Sequence, residues 1–218
     1  MKGACLEEAG IIFTGRELDK SRLLGCVKRF SISGQPDYEI DFASERNEFN
    51  NLLYAQVSQF TYLRGLWRLE AGKLSGSGPE HTEAYTGGFD WADYIFEGTL
   101  EPQCGMRHNL NFRVQGAIRS YAVGLAADDK LALYKNNNGY KALAETAFSW
   151  ECGGIYRLRV SLHGGRIQVY RIEGGRVTEL IDYLDARDPY LRGQIGASAP
   201  CGHCHFSDFS VSPNDCPV

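Results

Sequence analysis

Hydrophobic and polar residues alternate with a period of two along most of this chain, and glycines punctuate the alternation. The clearest case is residues 109–125, NLNFRVQGAIRSYAVGL. Phe112 and Val114 alternate with Asn111 and Arg113. The chain turns at Gln115-Gly116-Ala117, and Tyr121, Val123 and Leu125 then alternate with Ala122 and Gly124. Alternation around a glycine turn is the signal of a half-buried hairpin. The same rhythm predicts a strand, a bend at Ala71-Gly72 and a second strand from Trp67. It predicts further strands at 91–100, 130–135, 140–148, 155–162, 166–172, 177–183, 194–198 and 205–211. Residues 79–88, PEHTEAYTGG, read as loop. Asn136-Asn137-Asn138-Gly139 is a hairpin turn of the Asn-Gly kind. In residues 155–162, Tyr156, Leu158, Val160 and Leu162 fall on the core side, and Arg157, Arg159 and Ser161 outside.

Upstream, the pattern predicts about four strands, at 9–13, 23–32, 38–42 and 52–63, broken by turn signals such as Ser33-Gly34-Gln35-Pro36. A unit of roughly 60 residues buries little surface alone. The expected organisation is a small β-rich segment over 1–64, a sandwich over 65–212 and a tail over 213–218. Short strands at regular spacing, with no long helical period, indicate an all-β fold. The expected form is an antiparallel β-sandwich or jelly roll.

Composition sharpens this picture. The 25 glycines and 12 tyrosines beside two methionines suit a sheet protein with many tight turns. Net charge is -4 with no basic run, which speaks against a nucleic-acid partner. No apolar stretch approaches the roughly 20 residues that span a bilayer. The N-terminus lacks a long apolar h-region. Seven cysteines and the lack of an Asn-x-Ser/Thr sequon fit a reducing compartment, so the expectation is a cytoplasmic protein.

Three features carry candidate chemistry. Cys201-Gly-His203-Cys204-His205, with Cys216 downstream, has the thiolate spacing of a zinc site. A redox reading of the same letters fails, because such a motif needs a helix N-terminus and a strand pattern follows here. Asp208 is a candidate calcium ligand alongside loop carbonyls. Loop thiols and a capping carboxylate are the plainer readings, so no cofactor is expected beyond a structural Ca²⁺ or Zn²⁺. Glu39, Asp41 and Glu45 resemble the carboxylate signature of laminarinase-type β-glucanases, but with Glu45 one residue beyond that family's spacing. Retaining hydrolysis needs two carboxyls about 5–5.5 Å apart. Trp67, Trp91 and Trp150 stand at strand entrances, where core or corner anchors are usual.

The run WRLEAGKLSGSG, FDWADYIFEGTLEP, LNFRVQGAIRSYAVGLAADDKLALYKN, IYRLRVSLHGGRIQVYRIEG, LRGQIGASA and FSDFSV resembles a concanavalin A-like (laminin-G/glucanase-type) sandwich. More narrowly, it resembles the C-terminal, non-catalytic region of bacterial ADP-ribosylglycohydrolase-family proteins. Gly25-Cys26-Val27 and Gly34-Gln35-Pro36 stand in the order of that family's short preceding segment, with Ile32 where the pattern has Trp. The resemblance covers about residues 7–212. It implies a sandwich in an accessory role beside a catalytic domain, and not glycohydrolase activity in this chain. Fold alone leaves the ligand open. Three readings follow. The first is a glycan-binding module using Asn109, Asn111, Arg113, Tyr121, Arg157, Arg159 and Tyr170 on one concave face. The second is a structural or protein-interaction domain without a small ligand, favoured by a buried, mutually hydrogen-bonded Arg113 and Arg157 or by an apolar patch large enough to be an interface. The third is a glycoside hydrolase using Glu39 and Glu45.

Overall fold

The structure is a computed structural model that describes residues 60–70 and 72–214, without the side chains of Tyr62 and Glu70. Glu39, Asp41, Glu45, Cys216 and the four upstream strands lie outside the described residues. The described chain contains fourteen strands and no helix. They are β1 (Thr61–Arg64), β2 (Leu66–Glu70), β3 (Lys73–Gly78), β4 (Glu83–Thr86), β5 (Tyr94–Cys104), β6 (His108–Gly116) and β7 (Arg119–Ala126). There follow β8 (Lys130–Asn137), β9 (Tyr140–Ala147), β10 (Tyr156–His163), β11 (Arg166–Glu173), β12 (Arg176–Leu184), β13 (Gln194–Ser198) and β14 (Gly202–Pro213). They form two seven-stranded antiparallel sheets, β1-β4-β13-β6-β7-β8-β9 and β12-β11-β10-β5-β14-β3-β2. The all-β sandwich is therefore as the alternation predicts. The strand β1, ahead of residue 65, is already part of the first sheet through its pairing with β4.

Alternation places the core. On β10, Tyr156, Leu158, Val160 and Leu162 are buried, while Arg157 and Arg159 look outward. Across the sandwich, Leu110, Phe112, Val123 and Leu131 of the first sheet are fully buried. So are Phe96, Leu100, Leu158 and Phe206 of the second. The sheets are tightly packed at Gly98, where an added Cβ would stand 2.9 Å from Leu110 Cδ2 and from the Phe209 ring. A side chain there would push the sheets apart, which is why a glycine interrupts β5.

The first sheet departs from plain alternation in one respect: its central strands are buried on both faces. On β7 every residue after Arg119 is buried. The face turned away from the second sheet carries Ala122, Gly124 and Ala126, with Ala132 beside them on β8. Tyr134 and Tyr140 lie against these small residues. Gly124 is crowded by backbone, since a Cβ would sit 1.9 Å from the His108 carbonyl oxygen.

The segment 79–88, read as loop, contains β4. Four residues between turn signals are too few to display a period, and three of the four are buried.

The tryptophans do hold corners. Trp67 Nε1 donates to the Arg64 carbonyl at 2.8 Å, and its ring lies 6.1 Å from Phe206. Trp150 Nε1 donates to the Ala126 carbonyl at 2.7 Å. Trp91 lies over Gly87 and Gly88 and meets Tyr94 edge-on at 6.3 Å.

Candidate functional site

The outer face of the first sheet holds a groove of about 500 Å³, with Glu83, Asn109, Tyr134, Tyr140 and Ser198 among its walls. The strands bring these residues together by register. Ser198 stands opposite Asn109 on one side and Glu83 on the other; Gly196 likewise separates Asn111 from Tyr85. Asn109, Asn111, Glu83, Tyr85 and Ser198 therefore share one face.

A directed chain of hydrogen bonds crosses this face. Asn111 Nδ2 donates to the Tyr140 hydroxyl at 2.8 Å, and that hydroxyl donates to Glu83 Oε1 at 2.9 Å. Asn109 Nδ2 donates to Ser198 Oγ at 3.1 Å. The other side of each amide is unused. Asn109 Oδ1 and Asn111 Oδ1 are buried with no hydrogen-bond partner among the described residues. Buried acceptors of this kind are rare and costly, and they call for a water or a ligand. Burial, reinforced by Glu83, pushes the phenols of Tyr140 and Tyr85 well above their ordinary value, so both remain protonated. The ring of Tyr134 meets Tyr140 edge-on at 6.3 Å and carries the Arg107 guanidinium 5.3 Å from its centroid.

Asn109 and Asn111 are thus where the alternation puts them, on one polar row. Arg113 is not. A β-bulge disrupts the pairing of β6 with both neighbours here, and Arg113 adopts φ 47°. The bulge turns the side chain off the row and into one end of the sandwich. There the guanidinium is fully buried. Nε and Nη2 donate to the Ala92 carbonyl at 3.3 and 3.2 Å, and Nη2 to Asp93 Oδ1 at 3.0 Å. Nη1 donates to the Gly164 and Tyr190 carbonyls at 2.5 and 2.9 Å. All its donors serve this chain, so Arg113 is a clasp between loops. Loss of water pulls its pKa below the ordinary arginine value, opposed by Tyr94 and Asp93.

The remaining expected ligand residues do not join the groove. Tyr121 is fully buried on the core face, stacked on Phe112 at 5.7 Å. Its hydroxyl donates to Asp185 Oδ2 at 2.6 Å and accepts from Tyr190 N at 3.1 Å. Arg157 and Arg159 lie on the outer face of the second sheet, both bound to Glu97 at 2.7 Å. Tyr170 sits directly opposite Arg159 there. The seven residues therefore occupy separate places: groove, clasp, core and far face. Period two sends neighbours to opposite faces, and the bulge at Arg113 removes the one residue that a face argument would have kept in line.

The cysteine-histidine run does not converge either. Cys204 points into the core while His203 and His205 point outward, as alternation along β14 requires. Burial raises the Cys204 thiol well above its ordinary pKa, which disfavours the thiolate a metal needs. The Cys201 thiol donates to the Pro79 carbonyl at 2.7 Å. His203 Nε2 meets Ser75 Oγ at 2.9 Å, and His205 Nδ1 stands 3.8 Å from Glu101 Oε1. Asp208 sits at φ 55° in the bulge of β14 and accepts from Thr99 and Ser207 hydroxyls at 2.9 Å each. Among the described residues, no group of three His, Cys, Asp or Glu side chains is placed to hold a metal ion.

Glu83, Tyr134, Tyr140 and Ser198 were not singled out in the sequence. One signal was present for Tyr134. In KLALYK it shares a face with Ala132, and the preceding strand offers Ala122 and Gly124 there, so an aromatic on a small-residue face was readable. Glu83 gave no signal, because β4 is too short.

No protein-family model matches the chain, and no curated protein matches it. Solved structures do. A carbohydrate-binding module designated CBM66 from Bacillus subtilis aligns with a TM-score of 0.63 at 20% identity, over 71% of this chain and 95% of that one. The exoplasmic/lumenal domain of VIP36, in a form bound to Ca²⁺ and Man3GlcNAc, aligns with a TM-score of 0.56 at 14% identity. That match covers 73% of this chain and 85% of that one. A Bacillus subtilis protein with a galectin-like fold aligns with a TM-score of 0.55 at 14% identity, over 71% and 89%. At these identities the likeness establishes the β-sandwich fold.

Proposed function

We propose that the chain is a carbohydrate-binding β-sandwich module in an accessory role, with its glycan site in the groove of the first sheet. The observation that carries this is the buried, unpartnered Asn109 Oδ1 on the floor of a groove walled by Tyr134 and Tyr140. A sugar offers hydroxyl donors for such acceptors and an apolar ring face for an aromatic. Proteins of the same fold include a carbohydrate-binding module and a domain bound to Man3GlcNAc, which supports the reading. Isothermal titration against gluco-, manno-, galacto- and fructo-configured oligosaccharides and their amino-sugar counterparts tests it. Binding to at least one class, weakened about tenfold by Tyr134→Ala, is expected. A folded protein that binds none of the panel sinks it.

The resemblance to ADP-ribosylglycohydrolase-family C-terminal regions extends the proposal: the module accompanies a catalytic domain of that type. Co-elution of the two from a sizing column is expected, and separate elution at micromolar concentration removes this extension. A second reading, a domain that only positions a partner, draws on Arg113, whose donors are all satisfied within the chain. It predicts silence in the titration above.

A further inference from the structure

The groove floor is built of acceptors and carries negative charge. Glu83 is 5% exposed, and its Oε1 accepts from the Tyr140 phenol; among the described residues it forms no salt bridge. Beside it lies the open Oδ1 of Asn109 and, two residues along the strand on the same face, that of Asn111. The direction of the Asn111–Tyr140–Glu83 chain sets the polarity along it: the Asn111 amide and the Tyr140 hydroxyl donate toward Glu83, and the two amide oxygens remain as acceptors. Higher on the walls stand Glu80, Asp128 and Glu145. Two cations oppose these four carboxylates, and both are engaged. Lys130 pairs with Glu145 at 3.0 Å, and Arg107 lies over the Tyr134 ring. A buried carboxylate without a cation is costly, and an incoming positive charge relieves that cost. A ligand carboxylate or sulfate would meet repulsion from these carboxylates.

We propose that the groove selects sugars bearing a free primary amine, a glucosamine-type residue whose ammonium meets Glu83 while its hydroxyls serve Asn109 and Ser198. This rests on the glycan-binding reading above and narrows it to one ligand class. A charge-assisted hydrogen bond is about twice as strong as a neutral one, so the amine is worth about tenfold in affinity over a hydroxyl at the same place.

The test is a titration of the whole chain at neutral pH, by calorimetry and by amide chemical shifts. Four probes are used: a glucosamine oligosaccharide, its N-acetylated form, the plain glucose oligosaccharide, and spermidine. The expected result is that the amine-bearing sugar binds about tenfold more tightly than the acetylated and plain sugars. Spermidine, with charge but no hydroxyls, should bind weakly. Glu83→Gln should reduce the amine's advantage to about that of the plain sugar, with circular dichroism confirming the fold. If that variant does not fold, the ranking of the four probes on the wild-type protein decides alone. Equal or tighter binding of the plain or acetylated sugar overturns the amine proposal and leaves the glycan reading standing. Spermidine binding as tightly as the amino sugar also overturns it. If no probe binds while another glycan does, the proposal fails; if no glycan binds at all, both fail.

Discussion

Acid should weaken this fold at a pH where few other groups respond, and His108 is the reason. Its side chain is fully buried on the core side of β6, and among the described residues neither ring nitrogen has a partner at hydrogen-bond geometry. Trp150 meets it edge-on at 5.6 Å. Desolvation, opposed by the Gly105 backbone and aided by nearby His203, lowers its pKa from 6.5 to about 4. The unfolded chain therefore binds a proton that the folded chain refuses, throughout the interval between those values. The stabilisation is fully present above pH 6.5 and is lost as pH falls toward about 4. At 1.36 kcal/mol per pH unit the whole interval is worth about 3 kcal/mol, and the drop from pH 7.5 to 5 about 2 kcal/mol. Urea denaturation of wild type and His108→Phe at both pH values isolates this contribution. The phenylalanine keeps the contact with Trp150 and cannot titrate. The other four histidines and the carboxylates are common to both proteins, so their effects cancel in the difference of differences. The wild type should lose about 2 kcal/mol more than the variant on acidification. Equal losses in the two proteins would refute the buried, neutral His108.

The remaining predictions concern the two arginine sites. Arg113→Met leaves the Ala92, Gly164 and Tyr190 carbonyls without their side-chain donor and removes the cation facing Asp93, and urea denaturation should show a loss of about 3–5 kcal/mol. A change within about 0.5 kcal/mol would show that the clasp is unimportant. Arg157→Ala with Arg159→Ala removes exposed partners of Glu97, so stability should change by no more than about 1 kcal/mol. Glycan affinity should be unaltered, and a loss of binding in that double variant would move the site to the far sheet.

The fold was legible because both period and punctuation were strong. β10 and β13 fall where the alternation puts them, and the 109–125 hairpin forms as read. What escaped was whatever one strand cannot reveal about its neighbours. Asn109 and Asn111 were found, since their polarity on a central strand was visible in the pattern. Their partners Glu83, Ser198 and Tyr140 come from strands up to 89 residues away, joined only by sheet order. Arg113 was misplaced because a bulge adds a residue without changing the letters around it. Arg157 and Arg159 were read as outward-facing and are, but the face they share with Tyr170 belongs to the other sheet. The Cys201–His205 run was read by spacing, and a strand spends that spacing on opposite faces.

The clasp at Arg113 has a bearing on how the molecule can vary. Its partners are 20 to 77 residues distant along the chain and belong to three separate loops. Those loops are bound to one guanidinium, so an insertion in any of them disturbs the other two. The groove rim, at Met106, Asp128 and Pro200, lies toward the opposite ends of β6 and β13 and has no such common anchor. The sandwich therefore has a conservative pole and a permissive one. Changes of ligand preference can accumulate at the rim without touching the arginine that holds the far end together.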